Sequence, residues 1–180
     1  MSKIAPHLIT YPRSGSHYFD RLIYKEANFH IERSHTVHNL LDKDNNKRRA
    51  IVTIARDPKD SISSYVALEK YLSHCDGPRI NQIITEYVLL YSFLYDHADI
   101  VIDFKDLVEH PDQVTKKTLN LLDINKENSH QFVTDIDYNS KNFVESSKEL
   151  KVYADVDLTD FNIDLCYFYY NRLLEKKIVL

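Results

Sequence analysis

Glycine is nearly absent: the chain has two in 180 residues, where an average protein carries about 7 %. Gly15 and Gly77 lie far apart, which excludes the Gly-x-x-x-x-Gly-Lys-Ser/Thr loop of nucleotide triphosphatases. Cysteine is equally scarce. Cys75 and Cys166 are too few and too distant for a disulfide framework or a cysteine metal site, so a reducing compartment is expected. No apolar run reaches membrane-spanning length, and Met1-Ser2-Lys3-Ile4-Ala5-Pro6 does not begin a signal peptide. A cytoplasmic protein without membrane association is the expectation.

What remains is ordinary globular material. The sequence is 43 % hydrophobic and 28 % charged, long enough for one well-filled domain over residues 1–180. Its net charge of −4 argues against generic nucleic-acid binding. The charge is uneven. Residues 1–60 carry eleven Lys/Arg against seven Asp/Glu, and residues 61–180 carry twelve against twenty. A positive N-terminal third in an acidic chain suits a polyanionic ligand.

The hydrophobic pattern predicts strands over residues 7–11, 29–33, 50–55 and 99–104 and helices over 16–27, 58–73, 79–97, 111–122, 125–134 and 158–177. Residues 135–157 read as irregular. Asp57-Pro58 is a good helix opening, with Asp as N-cap and Pro at the first helical position. Strands alternating with helices imply an α/β fold, three layers with a mostly parallel central sheet. Ligands in such sheets sit beyond the carboxyl ends of the strands. Arg13 to Ser16, Arg33-Ser34-His35 and Arg56-Asp57 all follow predicted strands, so they are expected to converge there.

Residues 8–19, Leu-Ile-Thr-Tyr-Pro-Arg-Ser-Gly-Ser-His-Tyr-Phe, carry the sharpest signal. Strand, tight turn and helix N-terminus form an anion site: unpaired backbone N–H groups and the helix dipole face the ligand. Pro12 stiffens the turn, Gly15 permits close backbone approach, and Arg13 adds a permanent charge. The Tyr-Pro-Arg-Ser-Gly-Ser pattern resembles the 5′-phosphosulfate loop of sulfotransferases that use 3′-phosphoadenosine 5′-phosphosulfate (PAPS). The resemblance continues in order along residues 8–125. Arg56-Asp57-Pro58-Lys59-Asp60-Ser61-Ile62-Ser63-Ser64-Tyr65 is similar to that family's 3′-phosphate motif, in which an arginine and a serine at this spacing hold the phosphate. Arg33-Ser34-His35 resembles the segment that carries the catalytic histidine of cytosolic members. Ile102-Asp103-Phe104-Lys105-Asp106-Leu107 with His110-Pro111 resembles a segment whose aromatic lies near the adenine.

The resemblance implies a P-loop-like sulfotransferase with PAPS as donor and PAP, the desulfated nucleotide, as product. It assigns Arg13, Ser14, Gly15, Ser16, His17 and Tyr18 to the 5′ side, Arg56 and Ser64 to the 3′-phosphate, and Phe104 to the adenine. Tyr18 stands where relatives often carry Trp. His35 is the implied base, and a histidine suits that task because its pKa lies near working pH. Carbohydrate sulfotransferases often use a glutamate, which keeps Glu26 and Glu32 as alternatives. Arg13, the loop N–H groups and Lys59 would neutralise the leaving phosphate, so no metal is expected. Residues 126–180 contain no glycine and lack the basic, glycine-rich closing loop of cytosolic members. Lys148, in Glu145-Ser146-Ser147-Lys148, is the candidate to cover the cofactor instead. The acceptor, a small molecule or carbohydrate bearing a hydroxyl or amine, is not encoded in any motif. Two other readings compete: a small-molecule kinase with a degenerate phosphate loop, and a PAP- or glycan-binding protein without turnover.

Overall fold

A computed structural model of the chain describes residues 3–35, 49–71, 76–133 and 156–180. Two short strands, β1 (Lys3–Ile4) and β2 (His7–Ile9), precede helix α1 (Ser16–Ala27). β3 (Glu32–Ser34) and β4 (Ile51–Ala55) follow, then α2 (Pro58–Tyr71) and the long α3 (Gly77–His97). β5 (Ile100–Asp103) leads directly into α4 (Phe104–Glu109) and α5 (Pro111–Leu121). A 3-10 turn at Ser129–Gln131, strand β6 (Phe132–Val133) and α6 (Asp164–Leu174) complete the described elements.

The central sheet has the order β3-β2-β4-β5 and is parallel throughout. β4 and β5 are buried along their whole length, the pattern of strands covered on both faces. Successive residues alternate between two cores, as the period of a strand requires. Leu8, Val52, Ile54, Ile100 and Ile102 pack with Phe19 and Ile23 of α1, Leu107 of α4 and Val114 and Leu119 of α5. Ile9, Ile51, Ala55 and Val101 pack on the opposite side with Ile62 and Val66 of α2, Ile83 and Leu94 of α3 and Leu173 of α6. The fold is therefore a three-layer α/β sandwich, as the alternating pattern implies. No helix among the described residues is long and apolar enough to cross a membrane.

Local chemistry accounts for most helix starts. Asp57 Oδ1 accepts from Asp60 N–H (3.2 Å) at the head of α2, and Asp76 Oδ1 accepts from Arg79 N–H (2.9 Å) at the head of α3. Both are side-chain N-caps, each meeting a backbone donor three residues on. The same chemistry overturns three expectations. Asp103 caps α4 through Lys105 N–H (3.0 Å), so the strand expected to run through Phe104 ends one residue earlier. The helix expected over 125–134 is replaced by a turn, the 3-10 segment and β6. Asn125 Oδ1 accepts from the N–H groups of Glu127 and Asn128, and such local bonds compete with helix formation. The closing helix expected from residue 158 begins only at Asp164. Asp157 and Asn162 there accept from Thr159 and Asp164 N–H groups.

Leu119 is 4 % exposed and Leu121 57 %, although both lie in the last turn of α5. Leu119→Ala should lower unfolding free energy by about 2–5 kcal/mol, the usual loss for emptying a buried leucine site, while Leu121→Ala should stay within about 0.5 kcal/mol of the parent. Urea unfolding of the two variants checks the placement of α5 on the sheet.

Candidate functional site

The strand order sets the site. The chain leaves central β2 for β3 on one side and returns to β4 on the other, so the loops after β2 and β4 diverge around a crevice at their carboxyl ends. Register then decides which residues meet. Ile9 pairs with Ser34, Leu8 with Val52, and Ala55 with Asp103. Continuing each ladder beyond its strands brings Thr10 to His35, Pro12-Arg13 to Arg56, and Arg56 to Phe104.

The side chains follow that register. His35 Nδ1 lies 2.8 Å from Thr10 O; a carbonyl only accepts, so Nδ1 carries the proton and Nε2 keeps its lone pair. Arg56 Nη1 donates to Arg13 O (2.6 Å), and its guanidinium carbon stands 4.7 Å from the centre of the Phe104 ring, a cation–π distance. Arg13 Nε donates to Ser64 Oγ (3.2 Å). Ser64 thus reaches the site through Arg13.

The loop itself is a shaped piece of backbone. Ser14 N–H donates to Tyr11 O (3.3 Å), Pro12 is the second residue of this turn, and Arg13 is the third with φ 68°. That is the arrangement of a type II turn. A left-handed arginine costs about 1–3 kcal/mol, and such strain is concentrated at functional sites. Gly15 follows with φ 85°. A Cβ on it would stand 2.8 Å from Phe104 Cε2, so glycine is required both by the conformation and by the ring beside it. Gly15 also caps α1 without any side-chain bond, and the first helical hydrogen bond runs from Phe19 N–H to Gly15 O. The opening N–H groups of α1 consequently have no intrahelical acceptor.

A cavity of about 550 Å³ occupies the crevice. Pro12, Arg13, Gly15, Ser16, His17 and Tyr18 line it from the loop and the first turn of α1. His35, Arg56, Phe104 and, from α2, Tyr65 and Leu68 supply the remaining wall. Ser14 departs from expectation: it is fully buried and does not line the cavity. Phe104 lies against both Gly15 and Arg56, so part of its ring is already occupied. Lys148 lies outside the described residues. Of the three candidate bases only His35 faces the cavity. Glu26 is exposed near the far end of α1 and lines a separate hollow with Lys116, Asn120 and Lys126. Glu32 is ion-paired with Arg49 (2.5 Å).

The electrostatics are one-sided. Arg13 and Arg56 make no ion pair with a carboxylate among the described residues, and Arg56 Nε is buried without a hydrogen-bond partner. Burial lowers the Arg13 pKa and the Arg56 charge lowers it further, yet an arginine stays charged at neutral pH. Burial also pushes His17 down to about 4, helped by Arg33 and His35 and opposed by Asp20. His35 is lowered too, again chiefly by burial; its bond to Thr10 pulls the other way. Two neutral imidazoles and two fixed cations therefore surround the space. Among the described residues no group of three or more His, Cys, Asp or Glu is placed to hold a metal ion.

Leu68 belongs to no motif, and Tyr65 closes the segment that begins at Arg56 without a role assigned to it; their i, i+3 spacing on α2 is the available signal. Tyr87 and Tyr91 were legible only as a buried helix face. The structure shows both hydroxyls on the Arg56 peptide.

No protein-family model matches the chain, and none of the curated proteins matches it.

The depressed His17 pKa makes stability depend on pH. From about pH 6.5 down to about 4 the unfolded chain binds a proton at His17 that the folded chain does not, so stability rises with pH across this window. His35 acts in the same direction. Urea midpoints measured from pH 7.5 to 4 should fall steadily below pH 6.5, and His17→Gln should flatten that fall. An unchanged slope in the variant would contradict the placement of His17 at the site.

Proposed function

We propose that this protein is a sulfotransferase that moves a sulfuryl group from PAPS to an acceptor hydroxyl or amine. One observation carries the reading. Two guanidiniums from different strand ends, Arg13 and Arg56, are held against one cavity without a carboxylate partner among the described residues, beside the N-terminus of α1, which has no side-chain cap. Cations kept together in this way call for an anionic ligand, and the buried Nε of Arg56 has a donor to spare. The order of motifs along residues 8–125 adds the second support: Arg13 and Arg56, from the segments similar to the family's 5′ and 3′ phosphate motifs, line the same cavity.

PAPS, when bound, supplies an activated S–O bond to a phosphate oxygen. The chain's own residues then have distinct tasks. Arg13 and the first N–H groups of α1 hold the 5′ phosphosulfate and stabilise the charge that grows as that bond breaks. Arg56 binds the 3′-phosphate. His35, with Nδ1–H fixed on Thr10 O, takes the acceptor proton at Nε2 while the acceptor's new bond to sulfur forms. The electron pair of the broken bond leaves on the phosphate oxygen of PAP. Catalysis of this kind relies on positioning and charge, which is what the loop, Arg56 and His35 provide.

The nucleotide is the first test. PAP should raise the melting temperature, since a ligand that binds only the folded state stabilises it, and AMP, lacking the 3′-phosphate, should raise it much less. Arg56→Ala should weaken PAP by about 2–5 kcal/mol, the loss expected on deleting one partner of a buried charge pair. Equal shifts from PAP and AMP in the parent protein would remove the basis of the reading.

Turnover is the second. His35→Ala should cut sulfuryl transfer by about 10²–10⁴-fold, the usual contribution of a positioned base, with PAP affinity little changed. Glu26→Gln and Glu32→Gln should leave the rate near the parent value. Near-normal turnover in His35→Ala, assayed with PAPS against a panel of acceptors, would assign the base elsewhere.

A further inference from the structure

Arg56 sits between the end of β4 at Ala55 and the start of α2 at Pro58. Neither its N–H nor its C=O belongs to the sheet or the helix, and buried backbone groups of this kind need partners. α3 provides them from the opposite layer. Arg56 N–H donates to Tyr91 Oη (3.0 Å), and Tyr87 Oη donates to Arg56 O (2.9 Å). Tyr91 Oη also lies 3.3 Å from Arg56 O. The two rings are fully buried and stacked, with centroids 4.0 Å apart. Their spacing of four residues puts both on one helix face. Both backbone polar groups of the anion-binding arginine, in the peptide planes on either side of its Cα, are thus bonded to two phenol groups outside the cavity.

We propose that Tyr87 and Tyr91 are positioning residues that aim the Arg56 guanidinium, and that their hydroxyls set the preference of the site for a nucleotide with a 3′-phosphate. The proposal rests on the sulfotransferase reading, in which Arg56 serves that phosphate. Its logic is geometric. The side chain of Arg56 is fixed at its far end by Arg13 O and the Phe104 ring and at its near end by the tyrosines, with a longer bond from Ser61 Oγ to Arg56 O (3.4 Å). Without the hydroxyls the backbone at Arg56 can turn and the guanidinium loses its aim, while the phosphate loop keeps its turn bond from Ser14 N–H to Tyr11 O. The 5′ side of the site should be indifferent to the change.

The test is the affinity ratio of PAP to AMP, measured by calorimetry on the parent, Tyr87→Phe, Tyr91→Phe and a control, Tyr95→Phe. Tyr95 lies one turn further along α3, and its hydroxyl accepts from Arg172 (2.6 Å), away from Arg56. The ratio should fall about tenfold in Tyr87→Phe and in Tyr91→Phe, the scale of one lost hydrogen bond. AMP affinity should hold, and Tyr95→Phe should keep the parent ratio. A purely structural role would lower melting temperatures without moving the ratio, and that result would overturn the proposal. So would an equal fall in Tyr95→Phe. Phenylalanine keeps the ring packing, and either variant alone suffices if the other fails to fold. A parent ratio near one would remove the sulfotransferase reading and this proposal together; a high parent ratio retained by both variants would overturn the proposal alone.

Discussion

The bond from Arg56 Nη1 to Arg13 O joins the parts of the molecule on which the site depends. Arg56 follows one strand and Arg13 sits in the turn after its neighbour. The same guanidinium lies on Phe104, which begins the helix after a third strand. Phe104 in turn occupies the space that any residue larger than glycine would need at position 15. Three consecutive strand ends are therefore clasped by one side chain. Parallel register makes the arrangement possible: in-phase strands deliver their following residues side by side, so a loop residue can be fixed by its lateral neighbour without a long excursion.

This clasp gathers positive charge where burial already disfavours it. Arg13 and Arg56 repel each other, and desolvation adds to the cost. Nearby His17 and His35 are held toward the neutral form chiefly by burial, with the Arg33 charge adding to it. Folding pays for the arrangement elsewhere, in two apolar cores that between them use both faces of the sheet. An anion entering the cavity reverses the balance: it relieves the repulsion between the arginines and favours protonation of His17. Ligand binding and proton uptake are linked through the same few groups.

Much of this was legible in the sequence because it rests on local rules. The α1 boundaries follow from the apolar period, and the start of α2 follows from Asp57-Pro58; α3, capped by Asp76, begins two residues before the start expected at 79. β-branched runs mark β4 and β5. The convergence of Arg13, His35 and Arg56 follows once those strands are parallel, because each residue stands just past a strand end. What escaped depends on contacts between distant segments. Nothing near Phe104 in the sequence says that its ring lies against Gly15, and nothing near Tyr87 and Tyr91 says that their hydroxyls reach a peptide over thirty residues earlier. The misread stretches at 125–134 and 158–163 have a different cause. Asn and Asp side chains there satisfy backbone donors locally, and that outweighs a weak helical period.

Beyond β5 the sheet is completed by residues from a remote part of the chain. Lys177 forms a parallel bridge with Val101, Ile178 N–H donates to Val101 O (2.9 Å), and the Lys177 ammonium reaches Asp103 and Asp106. During synthesis, β5 emerges long before its cover does. Until the ribosome has released residues 177 and 178, the nascent sheet carries an open row of peptide groups, the feature through which partly made chains stick to one another. The shortness of that strand, four residues, limits the exposure. Residues 177 and 178 consequently act as the seal on an edge that would otherwise invite a second molecule.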